Sequence, residues 1–205
     1  MNSNKLAIHG GEPVRVTPWP FRAAFGDLEE TFLNEAVRYY RDKNMDPPYD
    51  GIFEQRFCKE FSNFMNGGYS DAVSTGTAAC YIALSALNLP KKSDVLISPV
   101  TDSGPLNAIL LLGLNPILMD SRKHSYNIDY ESFLHAITTN TSAAFIVHAA
   151  GEPVAIGPIV KEANRRDIKI IEDCSQAPGA KCCGKQKKCS LSCIEEDKNL
   201  VGTFG

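Results

Sequence analysis

The sequence predicts an α/β protein: a parallel sheet covered by helices on both faces, the three-layer α/β/α arrangement. Three observations predict it. From Tyr69 onward, short apolar runs alternate with amphipathic stretches of helix length, the pattern of strands joined by crossover helices. The runs are brief and include several β-branched residues, as strands buried on both faces require. The composition is that of a folded globular chain, with 43% hydrophobic and 22% charged residues among 205.

Residues 9–26 read as irregular, punctuated by Gly10, Gly11, Pro13, Pro18, Pro20 and Gly26. Asp27 is a candidate N-cap for a helix through about Arg41, with Leu28, Phe32, Leu33, Ala36, Val37 and Tyr40 on one face. Residues 46–51 form a Pro-rich loop. A second helix, from about Phe53 to Phe64, is expected to bury Phe53, Phe57, Phe61 and Phe64. The expected strands are Asp71–Ser74, Val95–Ser98, Asn115–Met119, Ala143–Val147 and Ile168–Glu172. Expected helices are Thr77–Leu87, Leu106–Leu112, Tyr130–Ile137 and Gly157–Arg166. The stretch from Lys181 to Lys198 is rich in lysine and cysteine and has no period. Val201–Gly205 reads as an interrupted strand, so the polypeptide is expected to be cut short there. Three regions result: an arm with helices (1–68), an α/β core (69–180), and an atypical insert with an interrupted strand (181–205).

With 21 basic and 24 acidic side chains, the net charge of -3 offers no field to hold a polyanion, and no nucleic-acid partner is expected. No apolar run reaches membrane-spanning length, and residues 1–11 lack the apolar core of a signal peptide. A cytoplasmic address is the expectation. The seven cysteines then read as reduced thiols, and their odd number argues against a closed disulfide framework.

Two motifs can carry chemistry. Ser74-Thr75-Gly76-Thr77-Ala78-Ala79 lies where a strand is expected to end and a helix to begin. Small residues admit a ligand close to the backbone, and the first amides of a helix point outward at the positive end of its dipole. A phosphate fits there, with the Ser74 and Thr77 hydroxyls as added donors. The same residues also make an ordinary capped helix start. They match neither the three-glycine dinucleotide fingerprint nor the Gly-Lys-Ser/Thr phosphate loop. The second motif, Ile170-Ile171-Glu172-Asp173-Cys174-Ser175-Gln176, sets Glu172 and Asp173 at the carboxyl end of a strand, where α/β sheets bind ligands. A carboxylate there can keep a cationic ring nitrogen protonated, and Gln176 can turn an amide to the same ligand. The alternative is a solvated acidic turn. Together the motifs suit a molecule with a phosphate at one end and a pyridinium at the other, as pyridoxal 5'-phosphate (PLP) is.

The chain resembles the DegT/DnrJ/StrS group of PLP-dependent sugar aminotransferases. The resemblance runs from Leu6-Ala7-Ile8-His9-Gly10-Gly11-Glu12-Pro13 and Pro18-Trp19-Pro20 through Gly51-Ile52-Phe53-Glu54 and Ser74-Thr75-Gly76-Thr77-Ala78-Ala79. It continues with Val147-His148-Ala149-Ala150-Gly151-Glu152-Pro153 and Glu172-Asp173-Cys174-Ser175-Gln176-Ala177-Pro178-Gly179-Ala180, and ends at Val201-Gly202-Thr203-Phe204-Gly205. It implies an aspartate-aminotransferase-like (PLP fold type I) large domain. It implies that Gly76, Thr77 and Ala78 hold the cofactor phosphate, that Asp173 pairs with the pyridine nitrogen, and that Gln176 lies near the phenolic oxygen. His148 reads as structural or as a residue supporting the site from behind, since a lone histidine is more often a satisfied polar group than a catalyst. The implied substrates are a nucleotide-linked keto sugar and an amino donor, expected to be glutamate, and the implied full-length form is a homodimer.

Three departures qualify the resemblance. The family's Schiff-base lysine lies downstream of the Phe-Gly segment, and none of Lys181, Lys185, Lys187 or Lys188 matches it. That lysine is also the proton carrier, so no catalytic residue is assigned, and the chain is expected to be inactive alone and to lack the small C-terminal domain. Asp102 stands where many members stack an aromatic ring on the cofactor. The insert places Cys189 and Cys193 near Cys182 and Cys183, without two clean Cys-x-x-Cys knuckles, and no metal is expected. Two alternatives follow: a non-catalytic remnant that binds a ligand or partner, or a related PLP-dependent sugar dehydratase.

Overall fold

The computed structural model describes residues 5–18 and 25–181. The chain divides into two compact units, Met1–Phe53 and Glu54–Gly205.

In the first unit, a 3-10 turn at Ala7–His9 precedes helix α1 (Asp27–Asp42). Its N-cap is Gly26, not Asp27. Gly26 is extended and donates its N–H to the Glu29 carboxylate at 2.8 Å, so the reach-back from the third helical residue does the capping while Asp27 is already helical. Asp27, Glu29 and Glu30 then load the positive end of the dipole with negative charge. The apolar face of α1 remains uncovered, with Phe32 50% and Val37 62% exposed. Tyr39, Tyr40 and Phe53 meet ring to ring at 5.1–5.7 Å.

Helix α2 (Ile52–Phe64) opens at the end of this unit and runs into the second. The expected burial of its phenylalanines does not occur: Phe57, Phe61 and Phe64 are 57%, 44% and 55% exposed. They pair with one another, at 5.9 and 6.5 Å between centroids. The core is filled instead by the sheet and the helices α3 (Gly76–Ala86), α4 (Ser103–Leu111), α5 (Tyr130–Ala136) and α6 (Ile156–Arg165).

The sheet has strands β1 (Asp94–Ile97), β2 (Asn115–Leu118), β3 (Thr141–Val147) and β4 (Lys169–Asp173), in the order β2-β1-β3-β4 and parallel throughout. The expected strand Asp71–Ser74 is absent. Among the described residues, no neighbouring strand takes their backbone groups, and an apolar run without a partner strand stays irregular. The other four strands and all six helices occur where the sequence periodicity puts them, with ends shifted by up to three residues. The largest shift is in α4, which starts at Ser103 because Asp102 caps it.

Alternation along the strands builds two cores. Val95, Ile97, Ala143 and Phe145 face α3 and α4, meeting Leu84, Ala108 and Ile109. Leu96, Ala144 and Ile146 face α5 and α6, meeting Phe133, Ile156 and Ile159. The chain steps from β1 outward to β2 and then returns to the other side of β1 for β3. This reversal opens a crevice at the carboxyl end of the sheet, where α/β folds place ligands. Among the described residues, no helix is long and apolar enough to cross a membrane.

Candidate functional site

A cleft of about 680 Å³ lies at that carboxyl end, lined by Gly76, Thr77, Ala79 and Cys80 of α3, Asp102, Gly104 and Pro105 at the start of α4, and Glu172 to Gln176 at the end of β4 and just beyond it. The two sequence motifs therefore share one cavity. Their neighbourhood has an electrostatic mark: the Cys80 thiol, one turn beyond Thr77, is pushed up by burial and then by the charges of Asp173 and Asp102.

Helix α3 starts as expected. Thr75 is the N-cap, and its Oγ1 accepts the Ala78 N–H at 3.0 Å. The Gly76 and Thr77 amides precede any intrahelical acceptor and remain for a ligand. A Cβ built on Gly76 would meet nothing within 4 Å, so the approach to these amides is open. Helix α4 begins beside α3, and Gly104 makes that possible. A Cβ there would fall 3.1 Å from Thr77 Oγ1 and 3.4 Å from Thr77 Cα. Asp102 caps α4, accepting the Gly104 N–H at 3.1 Å, so its carboxylate stands at the same end of the cleft as Thr77. No periodic or motif signal in the sequence marks Gly104.

At the opposite wall, β3 and β4 pair Val147 with Asp173. Asp173 Oδ1 accepts the Ser175 N–H at 3.0 Å, a turn that fixes the carboxylate at the strand end. Gln176 Oε1 accepts the Ala150 N–H at 2.8 Å. Ala150 holds φ 57°, a left-handed conformation that costs a non-glycine residue energy, and Gly151 follows at φ 77°. The side-chain carbonyl of Gln176 thus ties down this turn.

Behind Asp173 lies a buried polar set that sequence reading only partly anticipated. His148 is fully buried and its two ring nitrogens are both used: Nδ1 accepts the Val154 N–H at 3.0 Å, and Nε2 lies 3.0 Å from Glu172 Oε2. Acceptance at Nδ1 puts the ring proton on Nε2, so His148 is a neutral donor to Glu172. Asn127, also buried, joins the loops after β2 and β3: its Oδ1 accepts the Ala149 N–H at 2.8 Å and its Nδ2 donates to the Glu152 carbonyl at 2.8 Å. Glu152 in turn pairs with Arg122 and accepts from Ser125. Nothing local in the sequence distinguishes Asn127 from a loop asparagine.

His148, Glu172 and Cys174 bring their ligand atoms within 4.8 Å of one another. Their chemistry does not suit a cation. A histidine bound to a metal through Nε2 keeps its other nitrogen protonated, and here Nδ1 is an acceptor. Burial, with Glu172 and Asp173 adding to it, pushes the Cys174 thiol up to about 12, far from the thiolate a metal needs. The cysteine-rich stretch containing Cys182, Cys183, Cys189 and Cys193, and the strand expected at Val201–Gly205, lie outside the described residues.

The raised Cys174 thiol has a measurable consequence. Alkylation proceeds through the thiolate, so at pH 8 Cys174 should react with iodoacetamide at least about a hundredfold more slowly than an unperturbed thiol. Peptide mass spectrometry after timed labelling reads this site by site. Labelling of Cys174 in the native chain as fast as in urea would contradict its placement.

Comparison with known proteins fits this geometry. The family model for the DegT/DnrJ/EryC1/StrS aminotransferase family matches residues 29–195. The L-glutamine:2-deoxy-scyllo-inosose aminotransferase of Micromonospora echinospora is 32% identical over 86% of the chain and 42% of its own length. The GDP-perosamine synthase of Escherichia coli O157:H7 is 32% identical over 76% of the chain and 39% of its own length. The chain thus spans about two fifths of these relatives. Among solved structures, NtdA from Bacillus subtilis with bound cofactor PMP aligns with a TM-score of 0.67 at 28% identity, over 74% of this chain and 34% of that one. The three-layer arrangement is the aspartate-aminotransferase-like fold of PLP fold type I. In sequence and in fold, the chain belongs to the DegT/DnrJ/EryC1/StrS aminotransferase family.

Proposed function

We propose that this chain carries the cofactor-binding half of a PLP-dependent aminotransferase whose substrates are a nucleotide-linked keto sugar and glutamate. The observation that supports it most is the single cleft shared by the α3 N-terminus and Asp173. In this reading, the amides of Gly76 and Thr77 and the Thr77 hydroxyl receive the phosphate, aided by the dipole of α3. Ala78 contributes through the Thr75 cap, which takes its N–H and holds the first turn open. Asp173 faces the pyridine nitrogen and keeps it protonated. Gln176, anchored through Oε1 to Ala150, keeps its side-chain N–H groups for the phenolic oxygen. Bound there, PLP supplies an electron sink for carbanion chemistry at an amino-bearing carbon. The protein's share is to bind, to orient the ring and to hold its nitrogen's proton.

No lysine lines the cleft among the described residues. Turnover needs a lysine to carry the proton, so in this reading the described residues supply cofactor binding and not the proton carrier. The same observation favours a second reading, a non-catalytic remnant that keeps ligand binding alone. Titration of the purified chain with PLP, followed by borohydride reduction and peptide mapping, tests both. Saturable binding, reversible by dialysis, weakened by Thr77→Val and leaving no unique lysine adduct, is the expected result. A single labelled lysine would overturn the expected inactivity. Binding indifferent to Thr77→Val and Asp173→Asn would overturn the cofactor reading itself.

Asp102 brings a further expectation. Its carboxylate stands beside the amides proposed for the phosphate, where like charges repel. Asp102→Asn keeps an N-cap acceptor for α4 and removes the charge. It should tighten PLP binding by roughly three- to tenfold, in a titration at low salt. Unchanged affinity would mean that Asp102 does not face the phosphate.

A further inference from the structure

Strand β4 ends in two consecutive carboxylates whose side chains leave opposite faces of the sheet. Ile171 packs among the residues facing α3 and α4, and Ile170 among those facing α5 and α6. By this alternation Asp173 follows Ile171 toward the cleft, while Glu172, which also borders the cleft, sends its carboxylate to His148. The side-chain exposures are 7% for Glu172 and 1% for His148.

His148 grips both residues. Its backbone N–H donates to the Asp173 carbonyl at 3.1 Å, and its Nε2–H donates to Glu172 Oε2 at 3.0 Å. The Val154 N–H, held on Nδ1 at 3.0 Å, prevents the ring from turning or taking the other tautomer. A neutral donor stabilises a buried carboxylate as an anion without cancelling its charge. The Glu172 carboxylate thus sits, with a hydrogen-bond donor aimed at it, directly behind the strand end that presents Asp173.

We propose that Glu172, held by neutral His148, is a second carboxylate for the cofactor ring: alongside Asp173, and not through it, Glu172 adds to the negative potential that keeps the pyridine nitrogen protonated. This rests on the cofactor reading above. The Cys174 thiol, pushed up by burial first and then by Glu172 and Asp173, lies where both carboxylates are felt. The field of both carboxylates reaches beyond the end of β4.

The test compares equilibrium binding of PLP with that of its carbocyclic analogue, in which C–H replaces the ring nitrogen, to the full chain. Wild type should prefer PLP. Glu172→Gln, close in shape, should lower PLP affinity about tenfold while leaving the analogue within about twofold, because only a protonated ring nitrogen senses the lost charge. Equal weakening of both ligands would show a merely structural role and overturn the proposal. Asp173→Ala gives a second measure that does not depend on the folding of the first variant. It should retain a several-fold preference for PLP owing to Glu172, and complete loss of preference overturns the proposal. The two failures are distinct. Wild type that binds neither ligand sinks the cofactor reading and this inference with it, whereas wild type that prefers PLP, beside a Glu172→Gln variant with the same preference, sinks this inference alone.

Discussion

Asp173→Asn should lower the affinity of the chain for PLP by about thirty- to a hundredfold, as 2–3 kcal/mol of charge-assisted hydrogen bonding is lost. The substitution isolates the charge. The Asp173 Oδ1 that accepts the Ser175 N–H has a counterpart in the asparagine carbonyl, so the turn after β4 can persist. What vanishes is the anion that pairs with a pyridinium. An asparagine gives the ring no reason to keep its proton, and the neutral ring gains at most an ordinary hydrogen bond. Fluorescence titration at fixed ionic strength reads the loss, and circular dichroism checks the fold. An affinity within threefold of wild type would mean that the ring nitrogen lies elsewhere, and the assignment of Asp173 would be lost.

Phe133→Ala is expected to have the largest effect on the fold, destabilising it by about 3–5 kcal/mol. Phe133 lies on α5 and is completely buried in the core against Met119, Ile128, Ile146 and Ile159. Truncation leaves a cavity between the sheet and its helical cover that rigid strands cannot close. Against a typical total stability of about 5–15 kcal/mol, the change is a large fraction. Urea unfolding should show a lower midpoint with an unchanged slope. Because Phe133 sits on the face opposite α3 and α4, the cleft should keep its ligand preference in the folded fraction. A loss under about 1 kcal/mol would show that this face is loosely packed. The same test at Phe57, which is 57% exposed on α2, should give a far smaller loss.

The contrast between Phe133 and Phe57 shows how far periodicity reaches. Both stand at helical spacing among apolar neighbours, and only one is buried. A period of 3.6 residues states which face of a helix is apolar, because that is set within the helix. It does not state what, if anything, covers that face. The run Asp71–Ser74 makes the same point for strands: its composition suits a sheet, but a strand exists only when another supplies its hydrogen bonds, and none does among the described residues.

The candidate site divides in the same manner. The start of α3 at Thr75-Gly76-Thr77 and the acidic end of β4 were legible, because a helix cap and a strand end are local events. Their meeting in one cleft followed from the rule that α/β sheets bind ligands at their carboxyl edge. Gly104, by contrast, matters only because Thr77 lies 3.1 Å from where its Cβ would be. Asn127 matters only through Ala149 and Glu152, 22 and 25 residues away. His148 was recognisable as a structural histidine, but its bond to Glu172 spans 24 residues and passes from one strand end to the next.

By itself, then, the amino-acid order determined the six helices, four of the expected strands, the three-layer class and the two motifs that meet at the cleft, since each arises from neighbours along the chain. Only the tertiary structure decided which apolar faces are covered, that Asp102 is an N-cap facing Thr77, and that a neutral His148 stands behind Glu172. Those outcomes depend on register between parallel strands and on the approach of helices across a sheet, and such distances are set by packing among residues that the sequence keeps far apart.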